Sequence, residues 1–319
     1  MSHTFCAELS LEQDDPLAGS AAHIEDNLLI SWPRAKWARS LRIASDMPET
    51  LSQRLNAIAG NGRRINLIHR RGMPSHLHRI FLMPERQAFD VPRESLETFL
   101  DAWQAGEPLD SWYHGPAKQD LMLCCTHGKK DKCCAKYGYS AYRALHQAAQ
   151  EGGLPFDVWE CTHLGGCRLA ASCILLSPVR KYGRISPEQA RPLLEHEARG
   201  QRYLPCYRGN SRLNPVQQCA HLAALEYLSR QVTDGLQPQL SIHDDQGDDE
   251  QRQVTLHWHI PSTQGPAAQE SAAQGKIRIT CQALTIMRVD TCADLDEGPT
   301  PSQVWRAGRV EVVVEDPVE

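Results

Sequence analysis

The chain predicts a mixed α/β protein: two successive strand-and-helix units and then a small β-rich C-terminal segment. Three observations predict it. Apolar runs of strand length recur between Asn27 and Ile185, stretches with helical spacing lie among them, and from Val254 the apolar residues alternate with period two. The expected boundaries are residues 1–116, 117–235 and 236–319.

In the first unit, Asn27-Leu28-Leu29-Ile30-Ser31-Trp32 and Arg64-Ile65-Asn66-Leu67-Ile68-His69 read as strands. Leu51, Leu55 and Ile58 carry a helix between them, from Met47 to the terminating Gly60. His78-Arg79-Ile80-Phe81-Leu82-Met83 is a third strand, closed by Pro84, and Glu107-Pro108 through Gly115-Pro116 reads as the link onward.

The second unit opens with a buried-type strand, Asp120 to Cys124. Ser140 is placed to cap a helix through Tyr142, Leu145 and Ala149 that stops at Gly152-Gly153. Val158 to Cys161 makes the next strand, and Cys173 to Ser177 with Tyr182 to Ile185 an antiparallel pair around Pro178. This order suits a thioredoxin-like sandwich, and the first unit has the outline of a degenerate one. Pro187 then opens a helical stretch that Pro192 shortens or kinks, and Asn214-Pro215 opens a clearer helix through Val216, Ala220, Ala223, Tyr227 and Leu228. In the tail, Val254 to Ile260, Lys276 to Thr280, Leu284 to Val289 and Arg309 to Val314 read as strands, with a polar loop near 262–275.

Twelve cysteines among 319 residues is a high share. The opening Met1-Ser2-His3-Thr4-Phe5-Cys6 has neither a basic segment nor an apolar core of signal-peptide length, so the expectation is a reducing cytoplasm, where clustered cysteines more often bind metal than pair. No apolar run is long enough for a membrane span. A net charge of −5 does not imply bulk nucleic-acid binding. Asp244, Asp245, Asp248, Asp249 and Glu250 read as a solvated loop. Lys129, Lys130, Lys132, Lys136 and Arg143 are either ordinary surface or a basic face that offsets thiolate charge and docks an acidic redox partner.

Chemistry concentrates in two short loops. Cys124-Cys125-Thr126-His127-Gly128-Lys129-Lys130-Asp131-Lys132-Cys133-Cys134 is followed by His163-Leu164-Gly165-Gly166-Cys167. Thiols and imidazoles gathered this way suit a soft transition metal or an iron–sulfur cluster better than a hydrolytic site, and they point to electron transfer. The glycine pair lets the backbone curl closely around an inorganic core. Cys124 should point the opposite way from Cys125 along a strand. Cys124 and Cys133 nevertheless keep the same spacing as Cys125 and Cys134, and both stay open as competitors. Cys161, Cys173, Cys206, Cys219, Cys281 and Cys292 read as small buried hydrophobes. Asp131 reads as a clamp on backbone N–H groups, His127 as a loop hydrogen bonder, and Arg168 as a counter-charge to the cluster. His76-Leu77-His78 and His257-Trp258-His259 read as solvated strand faces.

Cys125-Thr126-His127-Gly128-x-x-Asp131-x-x-Cys134, Trp159-Glu160-Cys161-Thr162-His163-x-Gly165-Gly166 and Tyr182-Gly183-Arg184 resemble the sucrase/ferredoxin-like family, a branch of the thioredoxin-like [2Fe–2S] ferredoxins. Pro16 to Ala21 and Tyr207-Arg208-Gly209 extend the resemblance over about residues 5 to 230. It implies a [2Fe–2S] cluster whose ligands, carried over by position, are Cys125, Cys134, His163 and Cys167. Members with a His-x-Gly-Gly-His motif are understood to use two cysteines and two histidines. Here Cys167 stands at the second histidine, so a centre of three cysteines and one histidine is expected, with a potential between the all-cysteine and two-histidine types and a pH dependence from His163 alone.

The resemblance implies a soluble electron carrier served by a separate reductase and an electron acceptor, because no nucleotide-binding glycine fingerprint or P-loop is present. The enzymatic alternative is a ferric-siderophore or ferric-chelate reductase using the same cluster. A further alternative is a zinc-stabilised binding module, since the same donors make a good tetrahedral zinc set. A thiol–disulfide oxidoreductase lacks its Cys-x-x-Cys pair at a helix start, and no positioned carboxylate pair supports glycosidase chemistry.

Overall fold

The computed structural model describes residues 5–231, 237–260 and 273–313. A short helix, α1 (Cys6–Glu12), precedes the first unit, which runs β1 (Asn27–Ser31), α2 (Glu49–Gly60), β2 (Arg64–His69), β3 (Leu77–Met83), β4 (Gln87–Pro92), α3 (Leu96–Ala105) and β5 (Tyr113–Pro116). The helical crossover of α2 sets β2 parallel to β1, while β3 and β4 fold back as an antiparallel hairpin on the other side of β1. The spatial order is β2-β1-β3-β4, with β5 added at the edge.

The second unit repeats this connectivity with β6 (Asp120–Cys125), α4 (Tyr139–Glu151), β7 (Phe156–Cys161), β8 (Cys173–Leu175), β9 (Arg180–Tyr182) and α5 (Ala190–Ala198). Its order is β7-β6-β8-β9, with β10 (Tyr207–Asn210) at the edge. Both units therefore have the thioredoxin-like strand order. They join through β2 and β7, antiparallel, with Ile68 opposite Cys161 and His69 opposite Glu160, so that one ten-stranded sheet spans both.

Strand alternation sorts the side chains of this sheet. Leu28, Ile30, Ile65 and Leu67 pack with residues of α2 and α3, and Met122, Cys124, Val158 and Cys173 with those of α4 and α5. Leu29, Ile68, Leu123, Cys125, Trp159 and Cys161 turn to the other face and pack with Cys6 of α1 and with Cys134 and Cys167. The expected ligand thiols thus share the face opposite α2 to α5.

Asn214 caps α6 (Pro215–Ser229) through a reciprocal pair of bonds with Gln217, a feature that contributes about 1 kcal/mol. Val216, Ala220, Ala224 and Leu228 of α6 cover Val254, Leu256, Ile277 and Ile279 of a separate antiparallel sheet. Its strands β11 (Gln239–Gly247), β12 (Gln251–His259), β13 (Gln274–Arg288) and β14 (Thr300–Val313) lie in sequence order. Among the described residues no helix is long and apolar enough to cross a membrane.

Some local expectations need correction. The two tail strands expected at 276–280 and 284–289 are one continuous β13, whose irregularity near Ile279 and Cys281 shifts register without ending the strand. Ser140 lies inside the helical run and does not cap it, because a π-helical turn, Cys134–Gly138, leads straight into α4. The expected link at 107–116 contains β5, paired with β4. Asp245, read as solvated, is a β11 residue that pairs with Arg252 and accepts from Asn214 and Gln217. His78 is buried, stacked on Trp32 and 2.6 Å from the Ser31 carbonyl through Nδ1. The polar loop expected near 262–275 lies largely outside the described residues.

Candidate metal centre

Cys125 ends β6, and Cys134 begins the π-helical turn that brings the chain back against it. That return needs glycine: a Cβ on Gly138 would lie 2.0 Å from the Cys125 carbonyl oxygen. His163 and Cys167 come from the loop after β7, which bends through Gly165 and Gly166 at φ +87° and +77°. The structure brings all four expected residues together. Donor atoms of Cys125, Cys134 and His163 lie within 4.8 Å of one another. Cys167 Sγ is 4.0 Å from Cys134 Sγ and 3.4 Å from His163 Nδ1. Cys124 points to the opposite face, where its thiol approaches the Gly138 carbonyl at 3.4 Å, and Cys133 turns toward Cys6.

Such a set holds its protons unequally. Contacts with Cys134 and His163 pull the Cys125 thiol well below its ordinary range, and contacts with Cys134 and His163 also lower Cys167. Cys134, crowded by Cys125 and Cys167, is held well above that range. Burial disfavours a charged His163, but its bonds to Cys125 and Cys167 prevail and raise it to about 9. These residues supply soft donors that shed protons to a cation, which fits either a [2Fe–2S] cluster or a tetrahedral zinc ion.

The surrounding chain fixes the second loop through its backbone. The successive carbonyls of His163, Leu164 and Gly165 accept from three different basic side chains: Arg64 at 2.7 Å, Lys181 at 2.6 Å and Arg208 at 3.2 Å. Lys181 is fully buried, and burial drives its ammonium well down. Burial also lowers Arg208, to about 9. None of these three was apparent as a site residue in the sequence, although Arg208 sits in the Tyr207-Arg208-Gly209 motif. Arg168, expected to balance the cluster, is instead paired with Asp15 and Asp290.

The first unit walls the site. His127 donates from Nε2 to the Ala38 carbonyl at 2.6 Å, which leaves Nδ1 to accept the His163 N–H at 3.2 Å and so ties the two ligand loops together. Asn66 reaches the Thr162 and His163 carbonyls. His163, Gly165 and Gly166 are half-buried, and the two glycines border a cavity of about 550 Å³ lined in part by Arg168, Arg208 and Arg288.

The sequence model of the sucrase/ferredoxin-like family matches residues 17–209. Over 100 residues the chain is 29% identical to a Clavispora lusitaniae protein described as altered inheritance of mitochondria protein 32, a stretch covering 30% of this chain and 37% of that one. A solved thioredoxin-like [2Fe–2S] ferredoxin from Aquifex aeolicus aligns over 97% of its length with 31% of this chain, at 14% identity and a TM-score of 0.27.

Proposed function

Because the chain belongs to the sucrase/ferredoxin-like family, we propose that it is a [2Fe–2S] protein that passes single electrons, its cluster held by Cys125, Cys134, His163 and Cys167 in a thioredoxin-like unit over 117–235. The observation that carries this reading is the approach of three thiols and one imidazole from two loops: the donors of Cys125, Cys134 and His163 lie within 4.8 Å of one another, and Cys167 Sγ adjoins Cys134 Sγ and His163 Nδ1. A cluster bound there supplies one-electron chemistry. The chain's own residues hold it in a wall of apolar side chains, fix the donor loops and leave the His163 edge as the side nearest solvent.

Exposed Lys129, Lys132, Lys136 and Arg143 around the first loop suit an acidic reductase or acceptor protein. Thiols that serve as metal ligands in this reading suit a reducing compartment such as the cytoplasm. The test is anaerobic purification followed by counts of iron, sulfide and zinc and by the reduced-state paramagnetic spectrum, with Cys167→Ser alongside. Two irons and two sulfides per chain, with a spectrum changed by that variant, are expected; zinc in this centre without sulfide overturns the reading in favour of a zinc-stabilised module.

A second reading rests on the cavity at Gly165 and Gly166. Its arginines, partly neutralised by Asp15 and Asp290, suit an anionic ferric chelate against the Gly165-Gly166 turn of the second loop. A ferric-chelate reductase should be reoxidised by such a chelate faster than by an unrelated oxidant of equal potential, and Arg288→Gln should slow only the chelate. Equal rates favour the general carrier.

A further inference from the structure

We propose that Cys6, Asp131, Cys133 and Cys292 form a second metal site, adjoining the first through Asp131, whose carboxylate also lies within 4.8 Å of the Cys134 and Cys167 sulfurs, and that it binds one thiophilic divalent cation of tetrahedral preference, zinc foremost. Cys6 comes from the start of α1, Asp131 and Cys133 from the loop before the π-helical turn, and Cys292 from the segment between β13 and β14. Their sulfurs form a closed triangle: Cys6 to Cys133 is 3.4 Å, Cys133 to Cys292 is 3.3 Å and Cys292 to Cys6 is 3.6 Å. At a Zn–S distance of about 2.3 Å, one ion touching all three would ride about 1.2 Å above their plane, which leaves a fourth position open. Asp131 Oδ2 is 3.9 Å from Cys6 Sγ, and all four donors lie within 4.8 Å of one another.

The backbone is already arranged for anionic donors. Asp131 is locked by the N–H groups of Cys133 at 2.7 Å and Cys292 at 2.8 Å, one on each oxygen. The group is deeply buried, at 0% exposure for Cys6 and Cys133, 3% for Asp131 and 9% for Cys292. No described ion pair supplies Asp131 with a cation. A buried carboxylate beside three thiols is costly unless a cation or other strong partner compensates it. A disulfide would use two of the sulfurs and leave the third thiol and the locked carboxylate without a role. Asp131 and Cys133 lie within the residues matched by the family model, and Cys6 and Cys292 lie outside them.

The full-length chain, expressed with zinc and iron and purified without oxygen, is compared with Cys6→Ser, Cys292→Ser and Cys125→Ser by elemental analysis. Cys6→Ser and Cys292→Ser should each lose one zinc per chain whatever the first centre holds, and should keep the iron. Cys125→Ser should lose iron and keep that zinc. Should Cys6→Ser not fold, cobalt titration of the zinc-stripped wild-type chain and of Cys292→Ser supplies the second measure. Its thiolate-to-cobalt absorption should be strong in the wild type and weaker in the variant. Zinc content unaffected by Cys292→Ser, a cobalt spectrum unaffected by it, or a mapped disulfide among Cys6, Cys133 and Cys292 in the anaerobic protein overturns the proposal. Iron absent throughout, with zinc behaving as stated, leaves this site standing and removes the cluster reading instead.

Discussion

Cys133 and Cys134 share one peptide bond, yet their sulfurs enter different donor sets: Cys134 Sγ lies 4.0 Å from Cys167 Sγ, and Cys133 Sγ lies 3.3 Å from Cys292 Sγ. Helical backbone at this point rotates successive side chains by about 100°, enough to divide the pair. Cys134→Ser should therefore abolish iron binding at the first centre, while Cys133→Ser leaves iron, sulfide and visible absorption intact. Iron kept by Cys134→Ser and lost from Cys133→Ser would move the ligand back by one residue.

Lys181 donates to the carbonyls of Leu164 and Ala22 at 2.6 and 3.0 Å from a fully buried position. Lys181→Met leaves both acceptors without that donor and should lower unfolding free energy by about 2–4 kcal/mol, read by chemical denaturation. A variant as stable as the wild type would contradict the structural role.

Gly138 marks the closest approach between the π-helical turn and β6. Gly138→Ala must push the turn away from Cys125, since the obstacle is backbone and cannot rotate aside. We expect a loss of stability of at least about 2 kcal/mol together with cluster occupancy well below the wild-type level. Normal occupancy at normal melting temperature would refute this account of the turn.

Two buried histidines should set the acid side of the stability profile. Burial lowers His221 to about 3 and His78 to about 4, both below the unfolded value near 6.5. The unfolded chain therefore binds more protons than the folded one between those limits, so this contribution is complete above about pH 6.5 and shrinks as the pH falls. Each histidine should account for on the order of 2 kcal/mol by pH 4.5. Denaturation midpoints of His221→Gln and the wild type across pH 4.5–7.5 check it; parallel curves would show that His221 contributes nothing to the acid limb.

Much of this architecture is written locally. The alternation of Leu28 and Ile30 against Leu29, and of Cys124 against Cys125, divides the sheet's two faces in sequence as it does in space. The first donor set was legible because its members fall in two short loops. Its neighbour was not: Cys6 and Cys133 are 127 residues apart and Cys133 and Cys292 are 159 apart, so no spacing rule joins them and Cys292 reads as an ordinary buried thiol. Helix α3 does carry a signal in Leu96, Phe99, Leu100 and Trp103, but Pro92 and Pro108 on either side have the local signature of linkers. Lys181 is a different case, a charged residue whose burial depends on carbonyls that only the folded chain presents.

The pairing of β2 with β7 bears on how the chain can be divided. A fragment ending at residue 116 would leave β2 as a bare sheet edge, and one beginning at residue 117 would do the same to β7. Bare edges recruit foreign strands, so severed halves should aggregate on expression even where each could fold. The second half would also part from Asn66 and Arg64, which brace the His163 carbonyl. Truncation is thus a poor route to a minimal form of this chain, and any reduced version should keep both halves in one polypeptide.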